Sequence, residues 1–275
     1  MSLEAMGFHL TRTHYYSPIP TLAEIDETLW ERHSDLVGLD LNVAGQLQLL
    51  EKSLRTFAAE CTAFATSPSL PTDFYFGNQL FDGTDATVLY CMVRYLRPRT
   101  ILEVGSGFST RLMAAALLRN DAGQLVSVDP YPEETVARGF FGLSSVIREK
   151  VENLDMEAFS ALKAGDILFI DSSHVARIGG DVTFLFLEVV PRLKPGVVVH
   201  VHDVFFPDEY PREWIMEHHY FWNEQYLVQA FLAFNDSYEV LIANNYLGVH
   251  HHELLRETFP MAPWWGGGSL WIRRR

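Results

Sequence analysis

Cysteine is scarce in this chain: Cys61 and Cys91 are the two among 275 residues. Two thiols make no disulfide framework of the kind that staples secreted domains, and they form no pair with metal-ligand spacing. Both stand in apolar, helix-like patterns, so they read as buried thiols in a reducing, cytoplasmic setting. Positive charge is short as well, 21 Lys and Arg against 35 Asp and Glu, which leaves a formal charge of −14. A general nucleic-acid binder needs a basic face, so no nucleic-acid partner is expected. Arg273-Arg274-Arg275 alone reads as a solvated tail. No apolar run reaches the ~20 residues that span a bilayer, and no leading segment has the pattern of a secretory signal. A membrane partner is therefore not expected either.

What the chain does hold is core material. Hydrophobic residues make up 48% and aromatics 13%, enough for a sizeable core without staples. The most informative stretch is 100–110, Thr-Ile-Leu-Glu-Val-Gly-Ser-Gly-Phe-Ser-Thr. An apolar run enters, two glycines turn, and a helical pattern leaves, which is the opening of a nucleotide-binding strand–turn–helix unit. Gly105 and Gly107 let the backbone turn and approach a ligand without a Cβ in the way. Thr110 stands where a dinucleotide fingerprint places its third glycine. Glu103 ahead of the turn would repel a pyrophosphate and suits a cationic ligand, such as an amino group.

Strand and helix then alternate. Short apolar runs at 124–128, 145–148, 166–170 and 197–201 follow the first strand, and runs near 238–244 and 269–272 complete seven. The expected architecture is α/β: a Rossmann-like, mostly parallel seven-stranded sheet with helices on both faces, plus an N-terminal helical segment. In that segment 21–24 looks like a capping box opening a short helix, and 42–64 is amphipathic at helical spacing. A further helix is expected within 78–94, with Thr84 or Asp85 as its cap.

Ligands of open parallel sheets bind at the carboxyl ends of the strands, and the polar residues fall there repeatedly. Glu103 and the glycines end the first strand and Asp129 the second. Glu152 and Asn153 follow the third, Asp171 ends the fourth, and His202 with Asp203 ends the fifth. Asp129 lies about twenty residues beyond Gly107, where an acid can accept hydrogen bonds from ribose hydroxyls; a helix N-cap in Asp129-Pro130 is the structural alternative.

Glu-x-Gly-x-Gly at 103–107 resembles the first motif of class I S-adenosylmethionine-dependent methyltransferases. The runs DILFIDSSH at 166–174 and LKPGVVVHVHDVFFP at 193–207 are similar to their fourth and fifth motifs, closest to the small-molecule O-methyltransferase-like group. The resemblance covers 73–275 and leaves 1–72 as an N-terminal helical extension, which could cover the ligand site or form a homodimer contact. It implies S-adenosylmethionine as cofactor, held by Glu103, Gly105, Ser106, Gly107, Asp129, Glu152, Asn153 and Asp171. It also implies methyl transfer to a small-molecule acceptor, at a hydroxyl oxygen, and makes Asn78, Phe81 and Asp85 candidates for lining the site.

Metal-dependent members carry ligands at the positions of Asp171, His202 and Asp203. A histidine there disfavours magnesium and suits manganese or zinc. A metal-free reaction would use a histidine as base; His174 and His202 are preferred over His200, which lies deeper in its strand, and the catalytic group is His174, His202 and Asp203. His218-His219 and His250-His251-His252 read as surface loops. The aromatic run 205–226 suits either the roof of an acceptor pocket or ordinary core packing. An NAD-dependent oxidoreductase and a non-catalytic S-adenosylmethionine-binding protein are the competing readings.

Overall fold

The computed structural model describes residues 3–275. Seven strands form one sheet in the order β3-β2-β1-β4-β5-β7-β6. They are β1 (Thr100–Val104), β2 (Gln124–Val128), β3 (Ser145–Ile147), β4 (Ile167–Ile170), β5 (Val198–Val201), β6 (Tyr238–Ala243) and β7 (Leu270–Arg274). The first five pair in parallel, and β7 runs antiparallel between β5 and β6. The expected α/β architecture is therefore the observed one. From β1 the chain steps outward to β3 and then returns to β4 on the other side of β1, so the connections diverge between β1 and β4. That divergence opens a crevice at the strand ends.

Side chains alternate across the sheet as strand geometry requires. Ile101, Ile167, Phe169 and Val198 enter one core with the helices Gly83–Leu96 and Phe108–Asn120. Leu102, Val104, Leu168, Ile170, Val199 and Val201 enter a second core on the opposite face. Both faces are covered, which is why the strands read as continuous apolar runs.

The 42–64 pattern folds as one helical run with changing pitch: α-helical over Val43–Leu49, π over Leu50–Leu54, α over Arg55–Ala58 and 3₁₀ over Ala59–Ala63. Leu50, Leu54, Ala58 and Cys61 bury in the same core as Cys91 of the helix Gly83–Leu96, and both cysteines are free. Two expectations about caps are corrected. Thr21 makes no side-chain cap, and only a 3₁₀ turn, Leu22–Glu24, follows it. The cap of the helix Gly83–Leu96 is Asp82, whose carboxylate accepts from Gly83 N. Asp85 is committed elsewhere, accepting from Asn244 Nδ2, Gly268 N and Ser269 N at 2.7, 3.0 and 2.9 Å.

Candidate active site

Register brings the site together. Val104 pairs with Val128 on one side and Ile170 on the other, and Ile170 pairs with Val201. The residues immediately after these ends, Gly105, Asp129, Asp171 and His202, therefore stand side by side at the crevice. Gly105 must be glycine: its φ is +89°, and a Cβ there would lie 1.8 Å from Asp171 O. Gly107 is extended and would meet nothing within 4 Å.

Glu103 is fully buried beneath the turn, away from the cleft lining. Its carboxylate accepts from Ser109 Oγ at 2.7 Å, from Thr110 Oγ1 at 2.8 Å, and from Ser127, its direct cross-strand partner. Burial pushes its carboxyl up to about 8, although the three hydroxyls pull the other way. Thr110 also accepts from Gly107 N at 2.9 Å. The residue in place of a third glycine thus clamps the turn to the acid.

A cleft of about 340 Å³ opens above the turn, lined by Gly105, Ser106, Asp129, Glu152 and Asp171 among others. Asp129 accepts from Ser106 Oγ at 2.6 Å and from Tyr131 N at 2.7 Å. It caps no helix; the next one, Glu134–Arg138, begins after Glu133. Asn153 is not among the lining residues, and its amide donates to Glu149 at 2.8 Å. A slightly larger cleft, about 370 Å³, lies against the helix Phe108–Asn120; alanines and phenylalanines line it together with Thr72, Asp73, Arg111 and Leu118, and no histidine does.

Beyond Asp171 the cleft meets a buried acid–imidazole cluster. His174 Nε2 lies 3.4 Å from both Asp171 Oδ1 and Asp203 Oδ2, and its Nδ1 lies 2.9 Å from Glu224 Oε2. Ligand atoms of Asp171, His174 and Asp203 all fall within 4.8 Å of one another. His202 is less central: its Nε2 is 3.7 Å from Asp203 Oδ1, its Nδ1 has no hydrogen-bond partner, and its ring lies 4.8 Å from that of Phe81. His174 and Asp203 both hold left-handed backbone angles, φ +58° and +57°. That conformation costs a non-glycine residue on the order of 1 kcal/mol or more and gathers at functional sites.

Burial works against ionising Asp171, but His202 and His174 outweigh it and hold the carboxyl at about 2. Burial acts to lower His174, whereas Asp171, Glu224 and Asp203 raise it well above the ordinary imidazole range. Asp203 and Glu224 are both pushed up, chiefly by burial. His200 stays out of the cluster: it stacks on Phe169 at 3.9 Å, bonds Ser269 Oγ at 3.0 Å, and is driven well below its ordinary range by burial and by His202.

Of the remaining candidates, Asn78 closes its own loop, donating to Tyr75 O and Phe81 O. His218, His219, His250 and His252 are exposed and His251 is half-buried. Glu224 escapes a sequence reading altogether. An acid at the first position of a helix, here Glu224–Leu232, is commonplace, and it stands fifty residues from the histidine it meets.

A family model for a methyltransferase domain matches residues 102–204. An uncharacterised protein of Archaeoglobus fulgidus is 29% identical over 161 residues, 54% of this chain and 72% of that one. Among solved structures, an O-methyltransferase from Bacillus cereus in complex with SAH is similar at 16% identity and a TM-score of 0.41, over 83% of this chain and 91% of that one. A structure described as cmcI-D160 with Mg and SAM gives 18% identity and a TM-score of 0.42, over 71% and 73%. The chain has a Rossmann-like, mostly parallel seven-stranded sheet, and its residues 102–204 match the methyltransferase-domain model.

Proposed function

We propose that the protein transfers the methyl group of S-adenosylmethionine to a hydroxyl oxygen of a small-molecule acceptor. In this reading residues 73–275 form the catalytic domain and 1–72 an N-terminal extension, of which Leu50, Leu54, Ala58 and Cys61 pack into its core. The observation that carries it is the position of Asp171, which lines the cleft beside Gly105 and Asp129 and also faces His174. Donor and proton-handling groups are thereby contiguous. Asp129 accepts the ribose hydroxyls, Gly105 and Ser106 approach the donor's amino-acid part, and Glu152 borders the adenine end. Glu103 acts indirectly, by holding the turn.

Transfer needs in-line alignment of the acceptor oxygen with the sulfonium methyl. As the O–C bond forms, the S–C bond breaks and its electron pair stays on sulfur. The hydroxyl proton passes to a nearby base. The residues assigned to this step are His202 and Asp203, which follow β5, with His174, held protonated by the carboxylates around it, orienting them.

Asp171, His174 and Asp203 also fit a divalent cation. His174 Nε2 lies 3.4 Å from one oxygen of each carboxylate, and these three residues would hold the ion. A cation bound there would supply Lewis-acid polarisation of the acceptor oxygen. The imidazole would favour manganese or zinc over magnesium; the set that lies together here includes His174, where the sequence pointed to His202.

Calorimetric titration tests the donor site. Micromolar binding of S-adenosylmethionine, weakened at least tenfold in Asp129→Ala, is expected. Binding of NAD in its place would return the oxidoreductase reading. Donor binding without formation of S-adenosylhomocysteine from any hydroxyl acceptor would leave a binding protein.

A further inference from the structure

Glu224 is 1% exposed, and its one ion-pair partner within 4 Å among the described residues is His174. Oε2 makes that contact at 2.9 Å, and Oε1 has no hydrogen-bond partner. Removing a carboxylate from water costs several kcal/mol, so its retention in this place calls for a reason. Holding the loop is not the reason, because the backbone already does so. Asn223 N and Glu224 N donate to His174 O at 3.0 and 3.1 Å, and Ala176 N donates to Asn223 Oδ1 at 2.6 Å. The ring is further packed against Trp222, with centroids 4.5 Å apart. What the carboxylate adds is a fixed acceptor for the Nδ1 proton.

We infer that Glu224 is a positioning residue that keeps a proton on His174 Nδ1 and so presents Nε2 to the space between Asp171 and Asp203, making that space selective for an imidazole-seeking divalent cation over magnesium. The inference rests on the methyl-transfer reading only through the cation. A ring nitrogen whose partner N–H is held by a carboxylate is a better-oriented and more basic ligand. With Nδ1 unheld, the ring is free to carry its proton on Nε2 and close the site to a metal. Two carboxylate oxygens and Nε2 lie within 4.8 Å of one another, so a cation taken up there would replace any proton on Nε2 while Glu224 keeps the one on Nδ1.

The test uses the full-length protein. Manganese and magnesium chlorides are titrated separately into the wild type and Glu224→Gln. Ring nitrogens of His174 are read by long-range proton–nitrogen correlation, before and after addition of zinc. The wild type is expected to bind manganese at least tenfold more tightly than magnesium. Glu224→Gln should weaken manganese about 10- to 100-fold while leaving S-adenosylmethionine affinity within twofold. Nδ1 should carry a proton in both spectra. Unchanged manganese affinity in Glu224→Gln, or a wild-type Nδ1 without a proton, overturns the inference. If Glu224→Gln does not fold, the wild-type spectra still decide it. If the wild type takes up no manganese, the cation reading and its selectivity fall, while the Nδ1 proton still supports or overturns the positioning role. Failure of S-adenosylmethionine to bind, with manganese uptake intact, would sink methyl transfer and leave Glu224's role standing.

Discussion

The buried Glu103 should make this protein less stable as pH rises toward 8, and Glu103→Gln should remove that dependence. The folded carboxyl is pushed by burial from an ordinary 4.5 up to about 8. Between those values the unfolded chain has released the proton and the folded chain retains it, so stability falls with rising pH. The contribution is fully present below pH 4.5 and is lost by pH 8. At ~1.4 kcal/mol per pH unit the full window is worth on the order of 5 kcal/mol. Glutamine has the same shape and can both donate to and accept from the three surrounding hydroxyls of Ser109, Thr110 and Ser127. The two proteins should therefore be close in stability at pH 5. By pH 8 Glu103→Gln should be the more stable by several kcal/mol. Urea unfolding of both at pH 5, 6, 7 and 8 measures the difference directly and cancels the other titrating groups. Parallel stability profiles would refute the reasoning, and so would a gap that widens in the opposite direction.

Two further outcomes follow from the same geometry. Gly105→Ala should lose more than about 3 kcal/mol of stability, because its Cβ would strike the Asp171 carbonyl at 1.8 Å with φ at +89°; a urea midpoint corresponding to a loss below 1 kcal/mol would contradict this. His200→Leu should keep methyl transfer within a few-fold, since His200 touches Phe169 and Ser269 rather than the cleft. As a base held well below its ordinary 6.5 by burial, His200 stabilises the wild type above pH 6.5. That stability is lost as pH falls below it, so His200→Leu should show the shallower acid limb in thermal melts between pH 5 and 7.

The strands were legible because each is a short apolar run closed by a polar or glycine residue, and coverage on both faces makes such runs continuous. Predicted and observed limits differ by a residue or two at their ends, as hydrogen-bonded pairing starts or stops one position away. The cap of the helix Gly83–Leu96 was less legible. Asp82, Thr84 and Asp85 are all chemically able to cap it, and the choice fell to Asp82 because Asp85 is engaged by Asn244, Gly268 and Ser269, more than 150 positions away in the chain. The sequence shows Glu103 as a carboxylate beside the turn, suited to a cationic ligand; the structure buries it against Ser109 and Thr110. Its cross-strand pairing with Ser127 draws it inward instead.

By itself, then, the sequence determined the order of strands and helices along the chain and the polar residues that close each strand, because local pattern suffices for that. Which strands are neighbours, and so the crevice between β1 and β4, was decided by the sheet order. Only the tertiary structure decided which histidine stands at the centre. A left-handed turn at His174 swings its ring between Asp171 and Asp203, and the helix starting at Glu224 closes on its other nitrogen. Such a meeting depends on distances between residues far apart in the chain, which no spacing of letters records.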